Sequence, residues 1–249
     1  MPLLEELEQE GTFLFKHRSN LPIYVLVGEL GYFAYLAWNQ QLLGHENTYW
    51  WAFLLVGILG LGIRIFTVGH TPANTSGRNT DAGQVAEELN TSGIYSLVRN
   101  PLYLGNYFMW LAVAMLTADF LFCTVFTLAY WLYYERIIFA EEAFLRQKFG
   151  STYVKWAEKT PVFIPKVSGF VTPKYPFSWK KVLKKEKNGL AALFTLFFFF
   201  EVLKRSLEKQ QLEIPENSPW LLAFIGSTIF YLIFKVIKSN THWLDEAGR

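Results

Sequence analysis

The sequence predicts an all-α, polytopic integral membrane protein with about six transmembrane helices and a polar cap on its cytoplasmic face. Three observations lead there. Apolar residues make up 52% of the 249 residues and aromatics 18%, with a mean hydropathy of +0.19, a composition suited to lipid and poor in disorder. The apolar residues are gathered into runs, most of them near the ~20 residues that cross a bilayer. The charges sit in blocks between those runs. The net charge of +2 is too small for the electrostatic footprint of a nucleic-acid binder. A single cysteine, Cys123, excludes an internal disulfide framework and a cysteine-based zinc cluster.

The runs follow in order. Leu21 to Trp38 is broken only by Glu29, an intramembrane acid that reads as functional or as a hydrogen-bonded group in a helix contact made by Gly28 and Gly31. Tyr49 to Val68 is rich in Gly and Leu and carries Arg64 near its end. Leu102 to Thr117 and Phe120 to Ala140 have only Thr117-Ala118-Asp119 between them, which makes a tight antiparallel hairpin. Gly189 to Leu203 and Pro219 to Val236 read as an added C-terminal hairpin, dividing the chain into a core over 1–188 and an extension over 189–249. The Leu102 and Gly189 runs are short for a full crossing. Glu5, Glu6, Glu8 and Glu10 precede the first run, where a cleavable signal would be basic.

With the N-terminus cytoplasmic, the basic residues segregate: only Lys204, Arg205 and Lys209 fall on the far side. Both long polar segments, 70–101 and 141–188, then share the cytoplasmic face, where a water-borne cofactor is met. The first is a turn-prone loop running through Asn74, Ser76, Gly77 and Arg78, of the length that binding loops have. It ends in Asn100-Pro101, which reads as an N-cap followed by a first-turn proline. The second opens on Glu141-Glu142 and an amphipathic stretch with Phe144, Leu145 and Phe149, stopped by Gly150. Glu142 and Arg146 are spaced to pair across one turn, whereas Glu141, about 100° round the helix, cannot share that partner.

Gly93, Tyr95, Arg99, Pro101, Tyr103 and Gly105, followed after the hairpin by Glu141-Glu142, Phe149-Gly150, Tyr153, Thr160-Pro161 and Ile164-Pro165, resemble the isoprenylcysteine carboxyl methyltransferase and phospholipid methyltransferase superfamily of integral membrane enzymes. The resemblance implies an all-helical enzyme that uses S-adenosylmethionine on a lipid or lipid-linked acceptor. It also implies a cofactor-binding set of Glu87, Leu89 and Asn90, largely through backbone, with Tyr95, Asn100, Pro101, Leu102, Tyr103 and Glu141. On this resemblance Glu141 holds the ribose or amino group of the cofactor. Arg136 or Arg99 faces an anionic acceptor or the cofactor carboxylate; alternatively Arg99 anchors at the phosphate level. Asn100 stands where prenylcysteine enzymes carry His, and Ile137 where they carry an Arg, so the likeness leans to the phospholipid branch.

Two other readings stay open. Membrane sterol and steroid reductases using NADPH have a similar Pro-x-Tyr-x-Gly block but place Glu where this chain has Asn106. A non-catalytic lipid-binding or scaffold protein would retain the fold alone. His17, His45, His70 and His242 lie in four separate connections and suggest no metal site. The basic run from Lys180 to Lys187 reads as a topology signal or a headgroup contact.

Overall fold

A computed structural model describes residues 2–18, 21–39, 41, 48–75, 78–80 and 83–249; His45, Ser76 and Gly77 lie outside them. The described residues form α1 (Leu3–Lys16), α2 (Leu21–Trp38), α3 (Thr48–His70), strands β1 (Arg78–Thr80) and β2 (Gly83–Val85), α4 (Pro101–Ala114), α5 (Phe120–Phe149), α6 (Ser151–Ala157), α7 (Trp179–Lys209) and α8 (Pro219–Asn240). The expected all-α fold thus carries one addition. β1 and β2 pair antiparallel, with Arg78 opposite Val85, inside the loop after α3.

Local chemistry sets the helix ends. Pro101 opens α4 at the position where its missing N–H costs nothing, yet Asn100 does not cap it: its Nδ2 donates to the Val162 carbonyl at 3.2 Å. The hairpin turn closes on Ala118 in the left-handed region (φ 51°), and the Asp119 carboxylate then accepts from the Phe122 N–H at 2.8 Å to start α5. Gly150, at φ 53°, ends α5 as expected. Ser178 and Ser218 cap α7 and α8 by accepting from Lys181 N–H at 3.1 Å and Trp220 N–H at 3.0 Å.

By length and composition, α3 over Tyr49–His70 and α8 over Pro219–Asn240 are apolar enough to cross a membrane. The 14 residues of α4 reach only about 21 Å, short of a ~30 Å hydrocarbon layer. The 30 residues of α5 reach about 45 Å, so its last turns, with Glu141 and Glu142, stand beyond the apolar stretch that ends at Ala140.

One core cluster joins Phe33 of α2, Trp50 and Leu54 of α3, Ala112 and Val113 of α4, Leu193, Phe197 and Phe200 of α7 and Trp220 of α8. The C-terminal helices are therefore packed into the same core as the rest. The boundary expected at residue 188 falls inside α7, because the basic run is itself helical and finds partners. The buried Lys181 ammonium donates to the Thr71 and Pro72 carbonyls, and Lys184 pairs with Asp245 at 2.6 Å. α3 and α4 approach closely at Gly60 and Gly105. Among the described residues Gly28 and Gly31 serve no helix contact, since a Cβ at either would meet none of their atoms within 4 Å.

Candidate functional site

The polar ends of α3, α4, α5, α7 and α8, with the loop after α3, enclose a cavity of about 470 Å³, within the usual range of ligand sites. α3 contributes Arg64 and Val68, the loop Thr75, Val85, Ala86, Tyr95 and Arg99, and the start of α4 Asn100, Leu102, Tyr103 and Asn106. α5 adds Glu141, Phe144 and Leu145; α7 adds Lys184, Lys185, Glu186 and Asn188; Lys238 of α8 and Arg18 complete the wall.

The two sequence blocks are strapped together beside this cavity. The Gly93 N–H donates to the Val171 carbonyl at 2.8 Å, Arg99 N–H to Pro161 at 2.9 Å and Lys166 N–H to Leu97 at 3.1 Å. The Trp156 indole donates to the Tyr95 carbonyl at 3.2 Å. The aromatic and proline positions after Gly150 thus hold the segment from Tyr95 to Asn100 in place.

A second link was not legible in the sequence. Arg64 reaches Glu186 twice, Nε to Oε2 at 2.8 Å and Nη2 to Oε1 at 2.9 Å, while its Nη1 donates to Asn106 Oδ1 at 2.6 Å. This fork ties α3, α4 and α7 across the cavity wall. Its only signals were a lone cation at the end of an apolar run and a lone acid inside a lysine run.

Among the expected site residues, Tyr95, Arg99, Asn100, Leu102, Tyr103 and Glu141 line the cavity. Pro101 is buried behind them. Leu89 and Asn90 line a separate space of about 40 Å³ on the other side of Tyr95. Glu87 is exposed and accepts from Asn74 Nδ2 at 2.8 Å, so Val85 and Ala86 face the main cavity instead. Arg99 is paired, its Nη1 lying 2.8 Å and 2.9 Å from the two oxygens of Glu142, while Arg146, spaced to pair with Glu142, adds a nearby charge. Arg136 is turned away from the cavity and pairs at 2.8 Å with Glu10 of α1 in an exposed bridge. Such bridges contribute little, and Arg136→Ala is expected to change turnover by less than about twofold in a direct assay, against a large loss had it touched substrate.

Burial pushes the Glu141 carboxyl up to about 7, with the neighbouring Glu142 charge adding to the rise; a Tyr103 hydrogen bond and the Arg18 charge oppose it. Burial likewise raises Glu142, against the pull of Arg99, and raises the Tyr95 hydroxyl. A raised carboxyl in a cavity is poised to change charge state when a cation arrives.

The fold and cavity define a helical protein with an apolar bundle and a solute-sized polar site at one end of it. The phospholipid methyltransferase family matches residues 50–152. Protein-S-isoprenylcysteine O-methyltransferase of Schizosaccharomyces pombe is 30% identical, over 52% of this chain and 72% of that one. The cobalt-zinc-cadmium resistance protein CzcN of Cupriavidus metallidurans is 34% identical, over 63% and 68%. Protein-S-isoprenylcysteine O-methyltransferase B of Arabidopsis thaliana is 26% identical, over 58% and 73%. No solved structure matches. The chain belongs to the isoprenylcysteine carboxyl methyltransferase and phospholipid methyltransferase superfamily, and is a methyltransferase.

Proposed function

We propose that this chain transfers a methyl group from S-adenosylmethionine to a lipid or lipid-linked acceptor at the cytoplasmic boundary of a membrane that it crosses with about six helices, both termini cytoplasmic. The observation that carries this is a pair of unlike cavities whose linings meet at Tyr103 and Tyr134. Beside the polar one, an apolar slot of about 360 Å³ is lined by Pro22, Val25, Gly28 and Glu29 of α2, Trp110 of α4 and one face of α5 from Phe122 to Tyr134. Tyr103 stands between them. It lines the polar cavity, its ring lies 4.6 Å from that of Tyr134 in the slot, and its carbonyl accepts from the Tyr130 hydroxyl at 2.7 Å.

The polar cavity suits the donor. Its size, the Tyr95 and Tyr103 rings and the Glu141 carboxyl suit a ligand that carries an amino group and a sulfonium. When bound, S-adenosylmethionine supplies an electrophilic methyl group on a sulfonium. Glu141 holds its amino or ribose groups, while Asn100, Leu102 and Tyr103 shape the pocket. The protein contributes chiefly by alignment of two reactants, worth about 7–11 kcal/mol of barrier when well made. Apolar side chains turned outward support the lipid setting: Ile23, Val27, Leu55 and Leu59 on α2 and α3, Leu128 and Leu132 on α5, and Leu222 and Ile229 on α8 are all exposed.

Calorimetry on detergent-purified protein is expected to show binding of S-adenosylmethionine. Radiolabelled methyl transfer into total lipid extract is expected to label one lipid class. Binding of NADPH without affinity for the methyl donor would favour a sterol-type reductase. Binding of neither would favour a non-catalytic lipid-binding scaffold.

A further inference from the structure

Glu29 is the acid in the wall of the apolar slot. It is 1% exposed, and neither of its carboxyl oxygens meets a hydrogen-bond partner among the described residues. A buried carboxyl costs free energy until something answers it, and one within an apolar span is by default a functional group. A helix contact does not account for it. The adjoining Gly28, also in the slot wall, faces open space, so the slot has room beside the acid. The Tyr130 and Tyr133 hydroxyls from the same wall are already engaged by the Tyr103 and Leu14 carbonyls. The depth of the acid follows from its neighbours. The slot runs along α5 from Tyr134, which touches Tyr103 at the polar cavity, to Phe122. Tyr32, one turn beyond Glu29 on α2, stacks on Phe122 at 5.1 Å and donates to Asp119 at 2.7 Å, which places Glu29 toward the Phe122 end. By helical rise that is about 14 Å deeper than Tyr134.

We propose that the acceptor is a lipid with a hydroxyl partway along its apolar chain, and that Glu29 binds that hydroxyl. This rests on the methyltransferase reading above and names its substrate class. The reacting end lies at Tyr103, the chain threads between α2 and α5, and the hydroxyl meets the carboxyl about 14 Å in, by the same helical rise. Three kinds of group could answer a carboxyl there. An ammonium would have to shed its water along an aromatic wall, and a buried ion pair rarely recovers that cost. A carbonyl only accepts, so it serves the protonated acid alone. A hydroxyl both donates and accepts, so it serves the carboxyl in either protonation state and enters apolar surroundings without a charge. The arrangement also selects. A chain that lacks the hydroxyl leaves the acid unanswered and dry, and a site built around a substrate hydroxyl rejects the analogue without it far more strongly than an apolar pocket rejects a change of size.

The test uses the full chain in detergent micelles and two probes, ricinoleic acid and oleic acid, which differ only in a mid-chain hydroxyl. Calorimetry is expected to show ricinoleic acid binding at least about tenfold more tightly, roughly 1.4 kcal/mol. Glu29→Leu is expected to abolish that preference and leave oleic acid bound at least as well as before, while Glu29→Gln, which keeps the shape and the hydrogen-bonding capacity, retains it. Gly28→Leu fills the slot and is expected to weaken both probes without changing the affinity for S-adenosylmethionine. In a total lipid extract with radiolabelled methyl donor, the labelled lipid is expected to carry a chain hydroxyl, read by mass spectrometry. Equal binding of the two probes by the wild-type chain, or a preference that survives Glu29→Leu, overturns the assignment of Glu29. Label on a lipid without a chain hydroxyl overturns the substrate class. A chain that prefers ricinoleic acid but never binds the donor overturns the underlying methyltransferase reading instead.

Discussion

Glu141→Gln is expected to weaken S-adenosylmethionine binding by about 100-fold or more, the equivalent of roughly 2.7 kcal/mol, with a comparable fall in methyl transfer at fixed donor concentration. The substitution keeps the shape of the side chain and removes its negative charge. The wild-type carboxyl is held near 7 by burial, well above its ordinary 4.5. To hold a cationic donor it must be ionised, so donor affinity is expected to fall as the pH drops below about 7, and to become nearly flat with pH in the variant. Stability without donor runs the other way. Between about 4.5 and 7 the folded chain holds a proton at Glu141 that the unfolded chain has already released, so stability falls as the pH rises through that window. Thermal unfolding in detergent at the two ends of it, with and without donor, checks both signs. A donor affinity that Glu141→Gln leaves intact would remove Glu141 from the site.

What was legible in the sequence follows from how local the cause was. The turn at Thr117-Ala118-Asp119 could be read because only three residues separate two apolar runs, and the left-handed Ala118 and the Asp119 cap are how the structure makes it. Tyr95, Tyr103 and Glu141 could be named because the two blocks that carry them are dense in unusual residues, and the cavity does receive all three. The boundary at residue 188 misled because a lysine run is ambiguous by composition. The same residues make a solvated connection or, as here, the first turns of a long helix whose charges are answered by Asp245, by Arg64 and by bare carbonyls after α3. Arg64 and Glu186 lie 122 positions apart, and no local pattern joins them. The N-cap assigned to Asn100 failed for a related reason, since a carbonyl 62 residues away claims its amide.

Gly60→Ala and Gly62→Ala, two positions apart in α3, are expected to move thermal stability in opposite directions. A Cβ at Gly60 would stand 2.4 Å from the Gly105 carbonyl oxygen and 2.8 Å from the Met109 nitrogen, both backbone atoms of α4 that cannot turn aside. The helices must separate, and overpacking of this kind costs about 1–3 kcal/mol, or very roughly 2–12 °C at 2–4 °C per kcal/mol for a chain of this size. A Cβ at Gly62 would meet nothing within 4 Å among the described residues, so alanine there gains helix propensity of about 0.5–1 kcal/mol and raises the unfolding temperature. The partner substitution Gly105→Ala presses from the other side, with its Cβ 2.5 Å from Arg64 Cγ and 2.8 Å from the Gly60 carbonyl oxygen. Displacing Arg64 unseats the fork to Glu186 and Asn106, so this variant is expected to lose donor binding as well as stability. The pair in α3 separates contact from composition: both are glycines in the same apolar helix, and only the approach of α4 distinguishes them. Equal losses at Gly60 and Gly62 in a melting experiment would mean that the α3–α4 contact is not what these glycines serve.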